Sequence, residues 1–86
     1  MAERESTQLE DLVRYLVEPL VNDPESITVT EIAEEKKATT VMRLEVAQDD
    51  IGRVIGRQGR VIRSLRTLMT VASQSLDQPV TLDLVD

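Results

Sequence analysis

Leu9, Leu12, Val13, Leu16, Val17 and Leu20 follow one another at steps of 3, 1, 3, 1 and 3. That rhythm puts every apolar side chain on one stripe of a helix and leaves the charged residues on the other side. Thr7 and Glu10 have the spacing of a capping box at its start. Pro19 cannot donate an interior backbone hydrogen bond, so the helix is expected to stop near Glu18 or to bend through one last turn. Asn22 to Ser26 reads as a polar turn. From Ile27 to Glu34 the period falls to two: Ile27 and Val29 alternate with Thr28 and Thr30, and β-branched residues dominate, as in a strand. Glu34-Glu35-Lys36-Lys37 is then the tip of a hairpin. Thr39 to Val46 is a second strand, with Met42, Leu44 and Val46 on one face and Val41, Arg43 and Glu45 on the other. Such alternation suits a sheet with one dry and one wet face.

Asp49 and Asp50 precede the next apolar segment, and acids in a first turn favour a helix start. A short helix is expected from Asp50 to Ile55, broken by Gly56-Arg57-Gln58-Gly59. Val61, Ile62, Leu65, Leu68, Met69, Ala72 and Leu76 then mark one stripe of a longer helix, about four turns in length. Asp77-Gln78-Pro79 ends it. Val80, Leu82 and Leu84 alternate with Thr81, Asp83 and Val85 as a last strand. The order is α-β-β-α-(glycine turn)-α-β. This predicts an α+β fold: a three-stranded sheet with helices on one face. Residues 1–6 read as a tail and residues 7–86 as the single domain.

Composition narrows the chemistry. The 86 residues include no Cys and no His, and Tyr15 is the only aromatic. Disulfides and thiolate metal sites are excluded, and with them the usual neutral-pH general base and the commonest metal ligand. Carboxylates are plentiful but scattered over the first helix, the loops and the strand edges. Ser64 and Ser73 have no partner that would make them nucleophiles. No enzyme, cofactor or metal site is expected. Met1 to Glu5 is charged and lacks a following apolar stretch, so a secretory signal is not expected. No apolar run approaches the ~18 residues of a membrane span. A soluble, cytoplasmic protein is the expectation.

Charge singles out one stretch. Ile51 to Leu76 contains Arg53, Arg57, Arg60, Arg63 and Arg66 and no acid, whereas the other 60 positions hold 16 acids and 5 bases. With a net charge of −6, loose attraction of the whole surface to nucleic acid is disfavoured, so anion binding must come from a focused patch. Arginine offers a planar fork of donors suited to phosphate. The same stretch holds all three glycines, Gly52, Gly56 and Gly59. Two helices joined as tightly as by Gly56 to Gly59 require φ > 0, which glycine supplies without steric cost. The long helix begins right after, and its first amides lack intrahelical partners at the positive end of its dipole. A phosphate there would meet free donors, a favourable field, and Arg57 or Arg60. Arg53 precedes the turn, and Arg60 and Arg63 stand beside the apolar stripe.

Ile55, Gly56, Gly59 and Ile62 match position by position the Ile-Gly-x-x-Gly-x-x-Ile core of a KH domain, which the sequence resembles at this point. Two strands and a helix before the motif and one strand after it give the order of the type II KH fold, and the resemblance covers the whole chain. The length and the stretch Ala47 to Gly56 are similar to the small bacterial KhpA family of RNA chaperones. Gln48, where proline would be expected, and Pro19 in the first helix depart from that pattern, and neither touches the motif.

The resemblance implies a non-enzymatic protein that clamps about four nucleotides of single-stranded RNA with the Gly-x-x-Gly loop. Gly56, Arg57, Gln58, Gly59 and Arg60 would hold phosphates, aided by Arg53 and Arg63. Ile51, Val54, Ile55 and Ile62 are candidates for an aliphatic floor under the bases, and the pattern leaves open which of them are core instead. Arg43 could contribute from the far wall of the groove. The lack of aromatics agrees, because RRM and OB modules need stacking platforms. The resemblance further implies post-transcriptional regulation or RNA chaperoning linked to cell shape, a homodimer, and a complex with a larger KH-containing RNA-binding protein. A KH-shaped protein-interaction module, dimerising through the long helix with little nucleic-acid binding, is the alternative. A helix-hairpin-helix DNA binder would use a similar glycine turn but would not need the flanking strands.

Overall fold

A computed structural model describes residues 8–34, 39–74 and 79–85. The N-terminal tail, the Thr7 capping position, the hairpin tip at residues 35–38 and the expected helix end at residues 75–78 lie outside the described residues.

The apolar stripe at the start of the chain forms α1 (Gln8–Val17). Leu9, Val13 and Val17 are buried, with Leu12 and Leu16 partly buried beside them. Pro19 acts in both of the expected ways: the α-helix stops at Val17, and a tighter turn, Glu18–Leu20, carries the chain one step further. The polar turn that follows is tied by Ser26, whose Oγ donates to Asp23 Oδ2 at 2.6 Å.

Strands β1 (Thr28–Glu34) and β2 (Thr39–Glu45) pair antiparallel, from Thr28 opposite Glu45 to Glu34 opposite Thr39. Met42 and Leu44 are fully buried while Arg43 and Glu45 face water, so the two-residue period chooses the core face as expected. The last strand, β3 (Val80–Leu84), pairs parallel to β2, from Thr40 opposite Val80 to Leu44 opposite Leu84. The sheet order is β1-β2-β3.

A parallel neighbour cannot be reached by a tight turn and needs a crossover. Here the crossover is α2 (Ile51–Ile55), the glycine turn and α3 (Arg60–Gln74). Ile62, Leu65 and Met69 of α3 and Val54 of α2 close the core over Met42, Leu44 and Leu82, together with Leu9, Val13 and Val17. The glycine turn is therefore the apex of the connection between two sheet strands. Arg14 and Arg66 fasten the layers: Arg14 Nη1 donates to Ile27 O at 3.3 Å, and Arg66 Nε to Leu82 O at 3.2 Å. Among the described residues, no helix is long and apolar enough to cross a membrane.

One member of the expected α3 stripe is not in the core. Leu68 is 46% exposed, and Val71 is 58% exposed. The buried line is Ile62, Leu65, Met69 and Ser73. Leu68 stands one residue before Met69, about 100° round the helix, at the margin of that line. Ser73 takes a buried place because its Oγ donates to Thr70 O at 2.9 Å, which removes the cost of hiding a hydroxyl.

Candidate nucleic-acid interface

Helix α2 ends where Gly56 takes φ 76° and ψ 172°. That region is essentially closed to residues with a Cβ. Space excludes one as well: a Cβ on Gly56 would lie 2.3 Å from Val61 Cγ2 and 2.9 Å from the Val61 backbone nitrogen. Gly56 N–H still donates to Gly52 O at 2.9 Å, so the helix is capped by the residue that breaks it. Gln58 (φ 56°, ψ 26°) and Gly59 (φ 75°) follow in the left-handed half of backbone space. Three of the four residues Gly56 to Gly59 thus have positive φ, and α2 and α3 are joined with no further linker.

Bonds inside the turn are local. Gly59 N–H donates to Gly56 O at 3.1 Å, and the Arg60 N–H to Arg57 O. Arg57 and Gln58 occupy the first two positions of a single tight helical turn, where amides have no intrahelical acceptor. Successive amides in such a right-handed then left-handed sequence form a concavity that suits an anion. The first turn of the 15-residue α3 adds the positive end of its dipole beside it. Arg57, Gln58 and Arg60 are exposed around this mouth. Arg63, one turn along α3, folds back so that its Nη1 would be 3.4 Å from a Cβ on Gly59. An open groove of about 690 Å³ continues along α3, bordered by Arg60, Arg63, Ser64, Thr67 and Leu68.

The structure divides the apolar candidates. Val54 is fully buried and Ile62 is 7% exposed, so both are core, and Ile62 serves the site by seating α3. Ile51 and Ile55 are half-buried and keep surface at the rim. The arginines also separate. Arg57, Arg60 and Arg63 gather at the turn. Arg53 leans back, with its Nε 3.7 Å from Asp50 Oδ1. Arg66 is turned to the sheet and bonded to Leu82 O. Arg43 is not on a wall of this groove: it stands on the sheet face away from the helices, 3.9 Å from Asp83. Strand alternation fixes this, since Met42 and Leu44 take the inner face.

Asp50 departs from expectation most. It precedes α2 but makes no side-chain cap to that helix. It is 2% exposed, and its two carboxylate oxygens accept the Asn22 and Asp23 amides, each at 3.1 Å. Its partners lie 27 and 28 residues away in the chain, so no local pattern could reveal them. Among the described residues, no group of three or more acids is arranged to hold a metal ion.

The family model for the KH domain of KhpA/KhpB matches residues 10–84. The RNA-binding protein KhpA of Listeria monocytogenes is 35% identical over 78 residues, which cover 91% of this chain and all of that one. KhpA of Bacillus subtilis is 38% identical over 78 residues, covering 91% of this chain and 94% of its own. KhpA of Aquifex aeolicus is 37% identical over a stretch of the same length, 96% of its own chain. In three dimensions, 98% of the chain superposes on 32% of an Aquifex aeolicus Era variant crystallised with GDP and aluminium fluoride. The TM-score is 0.59 at 21% identity, a likeness of fold alone.

Proposed function

The chain belongs to the KhpA/KhpB KH-domain family, a family of RNA-binding proteins rather than enzymes, and from that premise we propose that it binds single-stranded RNA as a chaperone or post-transcriptional regulator in the cytoplasm. About four nucleotides lie across the Gly56–Gly59 turn and the start of α3. The backbone amides of Arg57 and Gln58 hold the phosphates at the positive end of the α3 dipole, while Arg57, Arg60 and Arg63 supply attraction around them. Bases rest against the half-buried Ile51 and Ile55. The observation that carries this reading is the turn itself: Gly56, Gln58 and Gly59 at positive φ, set directly before a long helix and ringed by arginines. With no aromatic platform, binding is driven by the backbone and has little sequence preference.

Titration of a fluorescent single-stranded oligonucleotide at rising salt tests the reading. Roughly four phosphate contacts give a slope of about −3 in log K against log salt. A flat dependence would count against phosphate recognition.

The exposed apolar residues of α3 favour a second property. Leu68, at the margin of the buried line, and Val71, on the far side of α3, are 46% and 58% exposed. A small domain gains stability by covering such a surface with a second copy. A homodimer through this face is therefore part of the proposal, and a larger KH-containing protein could use the same face. Leu68→Glu would place a carboxylate in a dry contact, and self-association should weaken roughly tenfold or more. Light scattering across a dilution series reads this. A wild-type chain that stays monomeric at high concentration would remove the dimer.

A further inference from the structure

Asp50 is the one carboxylate among the described residues that is buried, and phosphate binding gives it nothing to do. Its surroundings do. Oδ1 accepts the Asn22 amide and Oδ2 the Asp23 amide, each at 3.1 Å, and Arg53 Nε stands 3.7 Å from Oδ1. The Asp50 amide is itself held by Ala47 O at 2.8 Å. The residue therefore joins the turn between α1 and β1 to the start of α2. That helix has five residues, too few to be stable alone. Its position must come from outside: from Val54 in the core, from packing on α3, and from Asp50. The far end of the same helix is Ile55, and the next residue is Gly56.

We propose that Asp50 is a positioning residue for the RNA site, fastening the start of α2 to the Asn22–Asp23 turn and so fixing where the Gly56–Gly59 loop stands over the first turn of α3. The proposal rests on the RNA-binding reading given above. Removing a negative charge near an anion site should, by electrostatics alone, tighten RNA binding. Positioning predicts the opposite sign. Asp50→Asn keeps the shape but turns an amino group toward one of the two backbone donors, which then has no acceptor. Arg53 also loses its counter-charge.

The test compares RNA affinity of Asp50→Asn with wild type and with Leu82→Val, a core truncation on β3, at a temperature where all three are folded. The expected result is about tenfold weaker binding in Asp50→Asn, with Leu82→Val at the wild-type value. Wild-type or tighter affinity in folded Asp50→Asn would overturn the proposal and leave the RNA reading intact. A wild-type chain that binds no oligonucleotide would remove both. Should Asp50→Asn fail to fold, amide hydrogen exchange in the wild type decides. Coupling between staple and loop is reciprocal, so RNA should slow exchange of the Asn22 and Asp23 amides several-fold. Unchanged exchange with RNA bound overturns the proposal.

Discussion

Replacing Gly56 by alanine is expected to cost about 3 kcal/mol and to lower the melting temperature by roughly 15 °C. Two separate penalties add. The backbone at φ 76°, ψ 172° costs a residue with a Cβ about 1–3 kcal/mol. The new methyl also has no room, because Val61 Cγ2 would be 2.3 Å away and the Val61 nitrogen 2.9 Å. The nitrogen belongs to α3, so relief requires α2 and α3 to move apart. Forcing extra volume into packed structure costs a further 1–3 kcal/mol or so. A domain of this size has only about 4–13 kcal/mol to lose. Gly59→Ala should do less, about 1 kcal/mol: its φ of 75° is unfavourable, but the added carbon meets only the far end of the Arg63 side chain at 3.4 Å and Ile62 Cγ2 at an ordinary contact distance of 3.9 Å. At Gly52 an added Cβ meets nothing within 4 Å, which makes Gly52→Ala the control. Thermal and urea unfolding of the three variants check the order. Gly56→Ala melting within a couple of degrees of wild type would contradict it.

Changing Arg57 and Gln58 together to aspartate should leave the fold intact and weaken RNA binding about thirtyfold or more. Both side chains are exposed, so no core contact is lost. Gln58 is at φ 56°, ψ 26°, a conformation that aspartate adopts more readily than most residues. At the mouth of the turn, however, one positive charge is replaced by two negative ones. Each unit charge about 5 Å from a phosphate is worth roughly 0.8 kcal/mol in water, so a change of three units amounts to about 2.5 kcal/mol before screening and about 2 kcal/mol with it. The amides remain, but the phosphate must now approach them past two carboxylates.

Much of the fold is legible in the chain because its elements carry clean periods. The α1 stripe, the alternation of Met42 and Leu44 with Arg43, and the Val80–Leu84 strand all stand within a residue or two of expectation. Ile55, Gly56, Gly59 and Ile62 could be matched to a family because the turn is a local device, written in consecutive residues. Several features were hidden because they depend on partners distant in sequence. A count of arginines cannot tell Arg57 and Arg60 at the mouth from Arg66, which is bonded to a β3 carbonyl. Arg43 reads as a neighbour of the groove only until the strand register sends it to the other face. Asp50 looks like one of two acids favouring a helix start, while its bonds run back to Asn22 and Asp23. Leu68 belongs to the apolar pattern of α3 but not to its buried line, because it stands about 100° round the helix from Met69.

The Gly56–Gly59 turn is proposed to hold the phosphates. The most direct test is the binding isotherm of a short single-stranded RNA with wild type and with the Arg57→Asp, Gln58→Asp variant, at one salt concentration, alongside circular dichroism of both. Unchanged dichroism with binding weakened about thirtyfold or lost is the predicted result. Equal affinity in two equally folded proteins would contradict it and place the RNA elsewhere on the molecule.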